Sequence, residues 1–97
     1  MRKLVIRKRG DNSLSRQRSQ EIIEKAEFVT IGELVRLTGI RYSTLKYYTE
    51  EGMLQYEQEE ENLTRRYKRA DTMEKIMFIK QKKAIGLSIT QIKEMMK

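Results

Sequence analysis

The chain has 97 residues, 38% of them hydrophobic, and a formal net charge of +7, which describes one small domain with a modest core and suits a polyanionic partner. It contains no cysteine and no histidine, so disulfides, thiolate or imidazole metal sites and His-based acid–base chemistry are excluded. No apolar run reaches the roughly 18 residues of a membrane span, and the basic N-terminus lacks the apolar core of a signal peptide.

The charge is unevenly spread. Residues 1–18 hold seven Lys/Arg and one Asp, residues 19–62 four Lys/Arg and ten Glu, and residues 63–97 ten Lys/Arg and three acids. Residues 1–18 read as a basic arm, with turn signals at Gly10-Asp11-Asn12-Ser13 and a short apolar triplet at Leu4-Val5-Ile6. Residues 19–28 form a leader in which Ser19 can cap a short helix with Ile22, Ile23 and Ala26 on one face. The domain proper is expected over residues 29–97.

Residues 30–54 carry the densest information. Ile31, Leu34, Val35 and Leu37 recur at helical spacing. Thr30 followed by Glu33 is a capping box. Gly39 suits the left-handed residue that ends a helix. A second helix follows, with Leu45 and Tyr48 on its inner side, Ser43, Lys46 and Tyr47 on another, and Gly52 at its end. Two short helices around such a turn make a helix-turn-helix, whose second helix enters a major groove of DNA. Beyond it, residues 53–56 and 63–67 have weak extended character on either side of an acidic loop, and pair as a wing in this reading. The bland alternative is a solvated acidic loop, or one that binds another protein. A third helix starting at Ala70 or Asp71 buries Met73, Ile76, Phe78 and Ile79, continues to Ile85 and ends at Gly86. Ser88 and Gln91 form a second capping box for a last helix bearing Ile89, Ile92, Met95 and Met96.

This ordered set resembles the DNA-binding domain of the MerR family of bacterial regulators. The matching residues are Thr30-Ile31-Gly32-Glu33-Leu34, Thr38-Gly39-Ile40, Thr44-Leu45-Lys46-Tyr47-Tyr48, Glu51-Gly52-Met53-Leu54, the wing run Arg65-Arg66-Tyr67, and Ile85-Gly86-Leu87-Ser88 with Ile92-Lys93-Glu94. The likeness covers residues 29–96. It implies a mainly α fold: a winged helix-turn-helix with a short two-stranded wing and two C-terminal helices. It further implies a sequence-specific transcription regulator that binds double-stranded DNA. Arg41, Tyr42, Ser43, Thr44, Lys46 and Tyr47 would meet the groove and its walls. Arg65, Arg66 and Tyr67 would serve the wing, and Arg7, Lys8 and Arg9 of the arm would enter a minor groove or add unspecific affinity. The chain departs from the family's habit of a small capping residue at Arg41 and of arginine at Ser43 and Lys46. Lysine is a point charge rather than a planar fork, which weakens the case for bidentate base reading there.

These 97 residues hold no ligand-sensing domain and no heptad run for a dimerisation helix, and read either as a stand-alone DNA-binding module or as a fragment of a longer protein. The expectation is therefore a regulator with no cofactor and no small-molecule effector, cytoplasmic and associated with the nucleoid, and not an enzyme, that associates cooperatively on repeated sites. The alternative is an architectural DNA binder of the excisionase or plasmid-segregation kind.

Overall fold

The computed structural model describes residues 17–61 and 63–97. The expectations for Arg7, Lys8 and Arg9, and for the rest of residues 1–16, lie outside the described residues. The elements run α1 (Gln20–Lys25), β1 (Phe28–Val29), α2 (Ile31–Thr38), α3 (Tyr42–Glu50), β2 (Tyr67–Lys68), α4 (Arg69–Ala84) and α5 (Ile89–Met95). The fold is the expected mainly α winged helix-turn-helix.

Local chemistry sets most helix ends. The Ser19 hydroxyl accepts from the Ile22 N–H and opens α1. Both capping boxes form, Thr30 with Glu33 on α2 and Ser88 with Gln91 on α5. Gly39 sits at φ 76° between α2 and α3, where a side chain would be strained. Gly52 at φ 80° turns the chain out of α3. The Met53 N–H then closes on the Tyr48 carbonyl at 2.9 Å, and Met53 and Leu54 enter the core. Helix α4 begins at Arg69, before the expected Ala70 or Asp71. It ends as expected at Gly86, which takes φ 97° directly after the Ile85 cap, but Ile85 is 70% exposed rather than part of the buried face.

The sheet differs from the expected pairing. Residues 53–56 do not form a strand with residues 63–67: Met53 and Leu54 leave the Gly52 turn and enter the core, and the hairpin pairs only at Glu57 and Arg66. Instead β1, which precedes the helix-turn-helix, pairs antiparallel with β2, Phe28 opposite Lys68 and Val29 opposite Tyr67. The wing itself closes through one bridge, with Glu57 and Arg66 exchanging backbone hydrogen bonds of 2.7 and 2.9 Å.

One core underlies all of this. Ile23, Val29, Leu34, Leu45, Tyr48, Leu54, Tyr67, Ile76, Ile79 and Ile92 are buried together. The leader is part of it, since Ile23 of α1 and Val29 of β1 are both sealed. Within the core the Tyr67 hydroxyl lies 2.9 Å from the Thr49 hydroxyl, which also donates to the Leu45 carbonyl at 2.9 Å. Both polar groups are thereby satisfied, as burial requires. At the surface Arg18 grips α2: its guanidinium donates twice to Glu33 at 2.7 and 2.8 Å and once to the Phe28 carbonyl at 3.1 Å. Arg36 returns a bond to the Arg18 carbonyl at 2.6 Å.

Two outcomes follow for stability. Tyr67→Phe removes the buried hydroxyl but leaves Thr49 bonded to Leu45. A loss of about 1 kcal/mol is expected in denaturant unfolding, and no loss would mean that the buried hydroxyl pair is not stabilising. For Glu33, burial alone pushes the carboxyl up. The Arg18 guanidinium, the Thr30 N–H and the nearby Arg36 charge outweigh this and hold it below the ordinary range. A depressed native pKa stabilises the fold above the unfolded value of about 4.3 and ceases to do so as pH falls through the native value. Glu33→Gln keeps the capping box and loses the charge. It is expected to melt lower than wild type at pH 7, by at most about 1 kcal/mol for a partly exposed pair. The gap should close as pH falls below about 4. A gap independent of pH contradicts the charge pair.

Candidate nucleic-acid interface

The packing of α3 decides which of its side chains face outward. Leu45, Tyr48 and Thr49 are buried, and their spacing marks one side of the helix. The other side carries Tyr42, Ser43, Lys46 and Tyr47, all exposed, with Glu50 beside them; Tyr42 and Tyr47 are 55% and 45% accessible. Thr44 is half-buried at the margin. Arg41, at the N-cap, is exposed and makes no side-chain cap; its backbone carbonyl accepts from the Thr44 and Leu45 N–H groups at 3.1 Å each, and its guanidinium, which has no acceptor, leaves the earlier N–H groups of α3 uncapped by a side chain. Lys46 is 4.0 Å from Glu50, a loose surface pair.

Tyrosine gives this face its shape. Tyr47 leans on Tyr48, with ring centroids 6.1 Å apart and an interplanar angle of 51°. Its position is therefore backed by a buried ring, while its hydroxyl end is free to reach a phosphate. The far end of α3 is tied to α5 by Lys93, whose ammonium is 2.8 Å from Glu51. That hydrogen bond, with the Glu51 charge, raises the Lys93 pKa.

The wing residues part company. Arg65 is half-buried and its guanidinium lies over the Tyr56 ring. Arg66 is exposed and lines an open groove with Arg18, Lys25, Phe28 and Glu33, on the side of α1. Alternation along an extended segment explains the split, since neighbours point to opposite faces. Tyr67 departs from the expectation of a DNA contact: it is fully buried, with its hydroxyl on Thr49, and supports the wing from beneath. The acidic loop residues Glu57, Glu59, Glu60 and Glu61 are exposed around the wing tip.

Two contributors escaped the reading of the sequence. Arg18 is an anchor on α2 rather than one more charge of the arm. Tyr56 backs a wing arginine; an aromatic residue flanking the hairpin opposite an arginine was the available signal. Among the described residues no group of three or more acidic side chains could hold a metal ion, and no helix is long and apolar enough to cross a membrane.

Comparison with known proteins agrees with the fold. The model of the MerR HTH family of regulatory proteins matches residues 29–97. The chain is 36% identical over 64 residues to an HTH-type transcriptional activator SoxR homolog of Chromobacterium violaceum, covering 66% of this chain and 42% of that protein. It is 28% identical over 71 residues to a mercuric resistance operon regulatory protein of Shigella flexneri, covering 73% of this chain and 49% of that protein. The chain thus spans less than half the length of either relative. No solved structure matches. The family model covers the chain from Val29, the second residue of β1, to Lys97, with both helices of the helix-turn-helix and the wing included, and the chain belongs to the MerR HTH family of regulatory proteins.

Proposed function

We propose that this protein is a sequence-specific regulator of transcription that binds double-stranded DNA and reads the major groove with α3. The observation that carries the reading is the exposed face of Ser43, Lys46 and Tyr47 on a helix whose opposite face is locked in the core. Ser43 and Thr44 can bond a phosphate or a base edge. Lys46 reaches guanine O6 and N7 or a phosphate, and Tyr42 and Tyr47 lay their rings along the groove wall. Arg41 sits at the α3 N-terminus, where a phosphate is favoured by charge and by helix dipole alike. Arg65 serves the wing on the α3 side. Arg66 stands with Arg18 on the α1 side, facing the backbone that the basic arm would follow; Arg7, Lys8 and Arg9 add phosphate or minor-groove contacts there.

The reading needs no cofactor and no small-molecule effector, and it places the protein in the cytoplasm, at the nucleoid. One domain reads one half-site, so useful specificity comes from several copies associating cooperatively on repeated sites.

The test is selection of duplexes from a random pool, followed by binding on the winner. Contact with about six phosphates is expected to weaken binding roughly 10³-fold between 50 and 200 mM salt. Lys46→Ala should weaken it further and lower the salt slope by about one unit if Lys46 holds a phosphate. If it holds a base, discrimination at one position should relax instead. Stoichiometry above one protein per multi-repeat duplex is expected. Binding that ignores salt and Lys46 alike would contradict the proposal.

A further inference from the structure

The wing carries a contact that the groove-reading face of α3 does not account for. The Arg65 guanidinium carbon lies 4.7 Å from the centroid of the Tyr56 ring. That ring in turn lies 6.0 Å from the ring of Tyr67, tilted by 50°. The Tyr67 hydroxyl meets Thr49 at 2.9 Å, and Thr49 donates to the Leu45 carbonyl at 2.9 Å. An unbroken run of contacts therefore joins a cation on the wing to the backbone of α3. Tyr56 is itself 40% exposed, so its ring is not there to fill the core.

We propose that Tyr56 is a positioning residue of the interface. Its ring holds the Arg65 guanidinium by one face, at a fixed place relative to α3, and leaves the guanidinium edge available for a DNA phosphate. The inference rests on the DNA-binding reading above and adds to it a residue that need not touch DNA.

Three physical points favour a ring for this task. A guanidinium carries its N–H donors in its plane, so stacking on a ring consumes none of them. A carboxylate partner would cover the same edge that a phosphate needs and would cancel the charge. The wing is rich in such partners, with Glu57, Glu59, Glu60 and Glu61 close in sequence, so an attraction that favours the ring keeps the arginine from being diverted. Finally, a stacked arginine has already given up part of its rotamer freedom, and less ordering remains to be done on binding. The link through Tyr67 and Thr49 gives the ring a fixed footing, since both groups are buried.

The experiment measures binding to a random-sequence duplex of about 30 base pairs, long enough for several phosphate contacts, by fluorescence anisotropy across the same salt range. It uses the full chain, Y56F, Y56L, Y56Q, R65A, R65K and the Y56L/R65A pair, with a thermal melt of each. Y56L is expected to weaken binding about two- to five-fold, the span of an exposed cation–π contact. Y56F should bind as the wild type does. In the R65A background Y56L should have no further effect. R65K keeps the charge but loses the flat stack and the planar fork alike, so it should also weaken binding. Y56Q, a polar replacement at a position 40% exposed, removes the ring in a second way, should weaken binding as Y56L does, and decides the matter even if Y56L fails to fold.

Y56L or Y56Q binding as tightly as wild type, or more tightly, would overturn the proposal. So would a Y56L loss that persists without Arg65, or R65K equal to wild type. These outcomes leave DNA binding itself intact. A wild-type chain that fails to bind the duplex, or binds it without salt dependence, instead removes the regulator reading and this inference with it.

Discussion

One constraint organises the molecule: the inner face of α3 is sealed, so its outer face has no freedom to be anything but outer. Leu45 and Tyr48 are buried against the core, each worth about 1.5–3 kcal/mol relative to exposure. Thr49 is the third member of that face, and it is fixed by direction as well as by area, through hydrogen bonds to Tyr67 and to the Leu45 carbonyl. Turning α3 by one residue, about 100°, would bury Lys46 and expose Leu45. The side chains offered to a partner are therefore chosen by what the core accepts.

The same residues couple the helix to the wing. Tyr67 belongs to β2, which pairs with β1, and β1 leads directly into α2 through the Thr30 cap. The wing strand and α3 thus meet at one buried hydroxyl pair, and β1 carries that junction on to α2. Arg69 reinforces this junction from the start of α4, its side chain reaching the Ala26 carbonyl at 2.7 Å and its N–H the Glu27 carbonyl at 2.9 Å. The basic flanks have a second effect on the motif. Two of the acids that make it electrically unpromising for DNA are engaged by them, Glu33 by Arg18 and Glu51 by Lys93. Charge pairing shortens the list of carboxylates that would repel a phosphate, although surface pairs of this kind add little stability.

Much of this was legible in the sequence because it is local. A capping box needs residues three apart and a left-handed turn needs one glycine, so both boxes, Gly39 and Gly52 could be read without knowing the fold. The inward side of α3 followed from the spacing of Leu45 and Tyr48. What was not legible depends on contacts across the chain. The β1–β2 pairing joins two-residue strands about forty positions apart, too short for alternation to signal. Tyr67 sits in the run Arg65-Arg66-Tyr67-Lys68, whose charge suggests surface, yet a period of two sends Tyr67 inward. Ile85 shows the opposite error: an apolar residue at the end of a helix is easily counted as core, whereas here it is left at the surface. Arg18 reads as one cation among many until α2 places Glu33 beside it.

The most direct test of the central claim is methylation interference on a selected duplex. Methyl groups on guanine N7 project into the major groove, where α3 would lie. The account predicts that methylation at guanines within the bound site blocks binding, and that the pattern of blocking shifts when Ser43 and Lys46 are replaced. Binding indifferent to major-groove methylation, or an interference pattern unchanged by those replacements, would contradict it.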